Sequence, residues 1–195
     1  MRTTLILAFL GGIVTAMSGL PIDIIDGGSG SLYGLNGGNN AFVRPSWALG
    51  ANGSTATGNI PAGYFFNPLA FVRPVVLAGQ LIPSSKGAAI ANATGTDFGN
   101  VGRNVLRGPG QVNVDFSVIK RFPFAESRNI ELRAEFFNLF NHPNFANPVS
   151  NLSAVPSTSI DANSGRITGS PGDFGRVTST SNNPRLIQFA VKLNF

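Results

Sequence analysis

The sequence predicts an all-β fold: an antiparallel transmembrane β-barrel segment of about four strands, an incomplete barrel, with long extracellular loops. Three observations predict it. Apolar and polar side chains alternate along 112–118, 130–136 and 187–195, the period-two pattern of strands with two unlike faces. Charged residues make up only 12% of a 195-residue chain that carries 24 Gly, 13 Pro and 16 Phe. That charge content is about half the usual globular share, which suits an outer surface covered by lipid. Between the strands lie long Gly/Asn/Ser-rich stretches without a sustained period. Such stretches count against a compact soluble domain, whereas the outer loops of membrane barrels tolerate them.

Composition also excludes function classes. The net charge is +5, but the Arg residues are scattered singly, so no basic patch marks a nucleic-acid partner. The chain has no Cys, hence no disulfide framework and no thiolate metal site.

Residues 1–19 admit two readings. One positive charge, an apolar core from Leu5 to Ala16 and the small residues Ser18-Gly19 read as a signal peptide. The β-branched run from Gly12 to Ile24, ending in alternation at Ile22 and Ile24, reads as a strand. Residues 26–109 read as loop. Gly27-Gly28, Gly37-Gly38-Asn39-Asn40, Asn52-Gly53-Ser54 and Pro83-Ser84-Ser85 are its turn signals. The apolar island from Tyr64 to Phe71 is expected to pin that loop down.

Two strands follow, at 110–122 and 128–140, joined by a short turn at 123–127. Val112, Val114, Phe116 and Val118 form one stripe, and Ile130, Leu132, Ala134 and Phe136 the next. Each run reaches the ~9–11 residues a tilted membrane strand needs. Glu131, Arg133 and Glu135 share the other face of their strand. Three charges there would sit poorly in a dry core and well on a water-facing lumen wall. With Asp115 they make the expected lumen charge cluster, with Arg133 as its hub. Phe136, Phe137 and Phe140 suggest an interfacial aromatic girdle. Residues 141–184 return to loop. The last strand, 185–195, carries Ile187, Phe189, Val191, Leu193 and Phe195 on odd positions. An apolar stripe on an edge strand would invite aggregation in water but can face lipid.

No catalytic constellation is evident, so no enzyme, cofactor or metal site is expected. His142, the only histidine, sits between Asn141 and Pro143 and reads as a turn residue. Glu131 and Glu135 flank Arg133, which suits a charge ladder better than paired-carboxylate chemistry. Gly99, Gly102, Gly108 and Gly110 precede a strand rather than a helix, so they are no dinucleotide fingerprint.

The run Arg133-Ala134-Glu135-Phe136-Phe137-Asn138-Leu139-Phe140-Asn141-His142-Pro143-Asn144-Phe145 resembles part of a TonB-dependent transporter, most closely the Oar-like subgroup. So do the run from Phe98 to Asn104, Leu106-Arg107-Gly108-Pro109-Gly110, and Lys120-Arg121-Phe122. Phe66-Asn67-Pro68, Phe174-Gly175-Arg176-Val177 and Gly12-Ile13-Val14-Thr15-Ala16 extend the likeness from about residue 12 to the end. The ending resembles the terminal strand of bacterial outer-membrane proteins. The resemblance implies that Ile187, Phe189, Val191, Leu193 and Phe195 form a signal read by the barrel-assembly machinery. It also favours the strand reading of the N-terminus. A transporter of this kind implies a plug, a barrel of about 22 strands and energy received from TonB.

The resulting expectation is the C-terminal part of an outer-membrane barrel that imports large or scarce solutes and is inactive as a fragment. Its strands run at about 4–25, 110–122, 128–140 and 185–195, with loops 26–109 and 141–184 outside. Its partners are outer-membrane lipid, the assembly machinery, the rest of the barrel and plug, and TonB. The alternative is a small secreted or surface β-protein, an adhesin-like binding module freed by signal cleavage. Because side chains directly opposite share a face, residues of like parity should face each other across the 123–127 hairpin, bringing Asp115 near Arg133. Residues of unlike parity should face each other on the last strand, with Leu193 opposite Leu132 and Phe189 near Phe136.

Overall fold

The computed structural model describes residues 8–35, 43–83, 88–89, 94–124 and 128–195. The expected strand start at 4–7, the loop signals at 37–40 and 84–85, and hairpin residues 125–127 lie outside them. Apart from short helical turns, the regular structure is antiparallel sheet, and among the described residues no sheet closes on itself. The chain divides into two units.

The first unit holds a four-stranded sheet drawn from 1–19, 109–145 and 179–195. Its strands are β1 (Ala8–Met17), β2 (Gln111–Pro123), β3 (Asn129–Phe137) and β4 (Leu186–Asn194), adjacent in that order and all antiparallel. At nine to thirteen residues each they are long enough to cross a bilayer. Across β2 and β3 Phe116 faces Phe136 and Val118 faces Ala134, the like parity that the two stripes require. Across β3 and β4 Leu193 faces Ile130, Val191 faces Leu132 and Phe189 faces Ala134. The parity is as expected, but the register is displaced by two residues. A two-residue slip keeps every side chain on its face, so alternation alone cannot distinguish the two registers.

β1 ends at Met17, before the expected strand end at 25. Residues 18–20 leave the sheet, and Pro21–Ile22 pairs with Leu106–Arg107 instead.

The second unit, 20–108 and 146–178, is built from residues read as loop. Its regular pieces are two-residue strand pairs, such as Ser46–Trp47 with Phe71–Val72 and Val75–Val76 with Gly95–Thr96. Asparagine side chains cap the N-termini of three of its short helical turns, at Asn52, Asn67 and Asn151. Asn52, read as a turn signal, caps the helix Gly53–Thr57 through a reciprocal capping box with Thr55. The unit nonetheless has a core. Phe66, Phe71 and Phe174 are almost fully buried and pack edge-to-face, with centroids 5.2–5.8 Å apart. Ile24, Leu152, Val101 and Leu106 surround them. Each edge-to-face pair contributes about 0.5–1.5 kcal/mol beyond area burial. The apolar island at 64–71 therefore supplies the heart of a folded unit.

A buried ion pair completes this core. Asp26 is wholly buried. Arg73 donates to it through Nε (3.0 Å) and Nη2 (2.8 Å), Ser29 Oγ at 2.8 Å and the Gly28 amide at 3.0 Å. A Cβ at Gly28 would lie 2.7 Å from the guanidinium carbon, so the pair needs glycine there. Gly165, at φ +67°, leaves room for the Arg73 carbonyl in the same way and accepts a hydrogen bond from the Arg73 amide at 2.9 Å.

Candidate functional site

The four-stranded sheet has two unlike faces. On one, Leu10 and Val14 of β1 align with Val112, Val114, Phe116 and Val118 of β2. Ile130, Leu132, Ala134 and Phe136 of β3 follow, then Ile187, Phe189, Val191 and Leu193 of β4. Leu10, Val14, Phe189 and Val191 each stay about 70% exposed or more. A contiguous apolar face of this extent marks contact with lipid or protein. Lys120 interrupts it near the hairpin end, with its ammonium 4.9 Å from the Phe122 ring centroid. That position suits a side chain snorkelling to an interface. Phe195 follows β4 and is 89% exposed, so the terminal stripe lies open along the sheet's last strand.

The opposite face carries the charges. Arg121 of β2 faces Glu131 of β3, which in turn faces Lys192 of β4. Glu131 accepts from Arg121 Nε at 2.7 Å and from Arg133 Nη2 at 3.1 Å. Arg133 also pairs with Glu135 at 3.5 Å. The ladder therefore reads Arg121, Glu131, Arg133, Glu135, with Glu131 as its most enclosed member at 5% exposure. Beside it Lys192 and Gln188 flank the small Ala190, leaving a shallow basin of about 350 Å³.

This corrects the expected cluster. Asp115 shares the face but not the ladder, because Arg133 stands opposite Ile119. Asp115 instead accepts the Asn138 amide (2.9 Å) and Asn113 Nδ2 (2.8 Å). The hub is Glu131, held by two guanidinium groups, rather than Arg133 among three carboxylates. Arg121 was visible in the sequence next to Lys120, but only the register brings it to Glu131.

The face is not uniformly polar. Phe9, Ile13 and Met17 of β1 lie on it, and the Arg121 guanidinium sits 5.5 Å from the Phe9 ring centroid.

One end of the sheet is closed by asparagines that single-residue chemistry did not single out. Asn144 imitates a ladder rung: its Oδ1 accepts the Val112 amide at 2.7 Å and its Nδ2 donates to the Val112 carbonyl at 2.9 Å. The Asn144 carbonyl accepts the Ser181 amide at 2.7 Å. Asn138 Nδ2 donates to the carbonyls of His142 and Asn183, and its Oδ1 accepts the His142 amide. Asn141 Oδ1 accepts the Arg185 amide. Asn138 and Asn141 both adopt φ near +50°, a conformation Asn tolerates better than most residues. His142 follows the turn closed by the Asn141 amide and the Asn138 carbonyl (2.8 Å), with its ring nitrogen 3.0 Å from the Pro143 carbonyl.

Among the described residues no group of three or more His, Cys, Asp or Glu could hold a metal ion, and no helix is long and apolar enough to cross a membrane. Strands can cross only in closed sheets, because each unpaired backbone group costs several kcal/mol in lipid. The family model described as "Outer membrane beta barrel domain" matches residues 9–188, nearly the whole chain. The chain belongs to this outer membrane β-barrel family. No curated protein and no solved structure matches it. The family places this barrel chain in the bacterial outer membrane. The open sheet is consistent with an incomplete barrel.

Proposed function

We propose that the chain is a wall segment of a TonB-dependent transporter of the Oar-like subgroup, which imports large or scarce solutes. The observation that carries the reading is the pairing of an apolar face with the ladder Arg121–Glu131–Arg133–Glu135 on the other side of the same sheet. Backed by water, such a ladder costs little; backed by a dry core, it would be a heavy desolvation burden. The resemblance of residues 133–145 to these transporters supports the subgroup.

In this reading the charged face lines the lumen and the loops 26–109 and 141–184 are extracellular. The stripe Ile187, Phe189, Val191, Leu193 and Phe195 is the signal for the barrel-assembly machinery. The remainder of the barrel, a plug and TonB are the partners. The segment carries out no catalytic step and needs no cofactor.

The test is a chain tagged within 157–164, expressed in its bacterium and crosslinked with formaldehyde. Recovery of TonB with the tagged chain from the outer-membrane fraction is the expected result. Recovery from the culture medium, or from the surface without TonB, would replace the reading with the secreted or adhesin-like one.

A further inference from the structure

The geometry points to a binding site for a neutral oligosaccharide in the second unit, in a cavity beside Phe98 and Asn100. The cavity measures about 460 Å³, within the roughly 300–1,000 Å³ typical of small-molecule sites. Its apolar wall comes from the Val and Pro residues of 72–76 and from Phe98. Phe98 stacks on Tyr33, with centroids 4.7 Å apart and planes 15° from parallel, yet stays 45% exposed. An aromatic ring fixed by a neighbour and open to solvent is a platform for the apolar C–H face of a sugar ring.

The polar groups in the wall argue for an uncharged ligand. Both charges are already engaged. The Arg73 guanidinium is bound bidentately by Asp26. Asp97 is 1% exposed and accepts the Tyr33 hydroxyl at 3.0 Å and the Phe98 amide at 2.7 Å. What remains is hydroxyl and carboxamide chemistry. Asn100 Oδ1 is fixed by the Trp47 amide at 2.9 Å, which leaves its Nδ2 as a positioned donor. Ser164 Oγ donates to Asp161 at 2.7 Å and retains acceptor capacity. Ser46 adds a further hydroxyl to the wall. Fixed donors and acceptors around an aromatic platform match vicinal sugar hydroxyls, whereas an anionic or cationic solute would meet no open counter-charge. Binding stands on the cavity alone; its identification as capture of the imported solute rests on the transporter reading.

The experiment uses the full chain purified in detergent from outer membranes. Calorimetry is the measure of binding; Trp47, the only tryptophan, has its backbone amide held by Asn100 and its ring stacked on Phe71 in the core, so its emission is a second readout that reports first on the fold of the unit. Titration with maltotriose, cellotriose and xylotriose, read by Trp47 emission and by calorimetry, is expected to give saturable binding of at least one. Asn100→Asp keeps the acceptor for Trp47 but loses the Nδ2 donors. Phe98→Leu keeps apolar bulk without the ring. Each should weaken binding at least tenfold, while unchanged emission before sugar is added shows that the unit remains folded. Absence of saturable binding by both readouts, unaltered affinity in both variants, or a stronger response to citrate or spermidine would overturn the site. TonB crosslinking without sugar binding would sink the site and leave the transporter reading. Sugar binding lost in both variants without TonB crosslinking would do the reverse.

Discussion

Asp26→Asn should destabilise the second unit by about 3 kcal/mol, near the low end of the cost of breaking a buried ion pair. Asn keeps the shape and one acceptor oxygen, which can serve the Gly28 amide, while the oxygen that accepts from Ser29 Oγ and Arg73 Nε becomes a donor nitrogen, so the loss combines the charge opposite Arg73 with those hydrogen bonds. The low end applies because 21% of the Arg73 side chain is exposed, which lets water take up part of the uncompensated charge. Trp47, Tyr33 and Tyr64 are the only Trp and Tyr residues, and all three lie in this unit. Urea unfolding followed by their emission therefore reads the second unit with no background from the four-stranded sheet. With a slope of about 1–3 kcal/mol per molar urea, the midpoint should fall by about 1–3 M. Replacing both partners by apolar residues, Asp26→Leu with Arg73→Met, should be milder than either single loss, because neither member then remains as an unpaired buried charge. A midpoint unchanged in Asp26→Asn, or a double variant with a lower midpoint than the single variants, would refute the reasoning.

Asn144→Ala removes the side-chain rung to Val112 from a site only 3% exposed. It should cost about 1–3 kcal/mol and accelerate hydrogen exchange at the Val112 amide; unchanged exchange would contradict the clamp. Hydrogen bonds from the Ser164 hydroxyl and amide hold the Asp161 carboxyl below its ordinary range. Since the folded-state value is the lower one, the turn gains stability above the ordinary Asp range, near ~3.9, and loses it as pH falls toward the lowered value. NMR of the Ser164 amide should follow that loss, and in Asp161→Asn this pH dependence should vanish. Phe195→Ala should reduce the amount of assembled barrel in the outer membrane at equal synthesis, and equal outer-membrane levels would count against the terminal signal.

The sheet was legible because its chemistry repeats. Alternation places Val112 to Val118, Ile130 to Phe136 and Ile187 to Phe195 on one face, and parity then fixes which residues can oppose each other. The step of the register is set elsewhere, at the asparagine-held end. There Asn141 receives the Arg185 amide and Asn138 reaches the Asn183 carbonyl, contacts that no period announces. The same limit misplaced Asp115, since a shared face is not a shared position. The second unit was illegible for a different reason. Its strands are two residues long, too short to show a period. Its core joins Phe66 and Phe71 to Phe174, and its ion pair joins Asp26 to Arg73, across long separations in sequence. Local reading sees turn formers there and has no means of seeing the three-ring packing that binds them.

The two faces of the sheet also constrain what the charge ladder can do. Among the described residues β1 and β4 are the sheet's edges, and each presents a row of backbone donors and acceptors without a described strand beside it. At the depth of the apolar face, those groups would meet hydrocarbon, where each unpaired one costs several kcal/mol. Lipid can cover Leu10, Phe189 and Val191, but it cannot satisfy the edges. The sheet is stable in a bilayer only when strands continue it on both sides. That same continuation encloses the face bearing Arg121, Glu131, Arg133 and Lys192. Closure is thus one event with two effects: it removes the edges from lipid and, in the proposed transporter, makes the charged face the wall of a lumen. Strands added to β1 or β4 without closure would leave unpaired edges in the hydrocarbon.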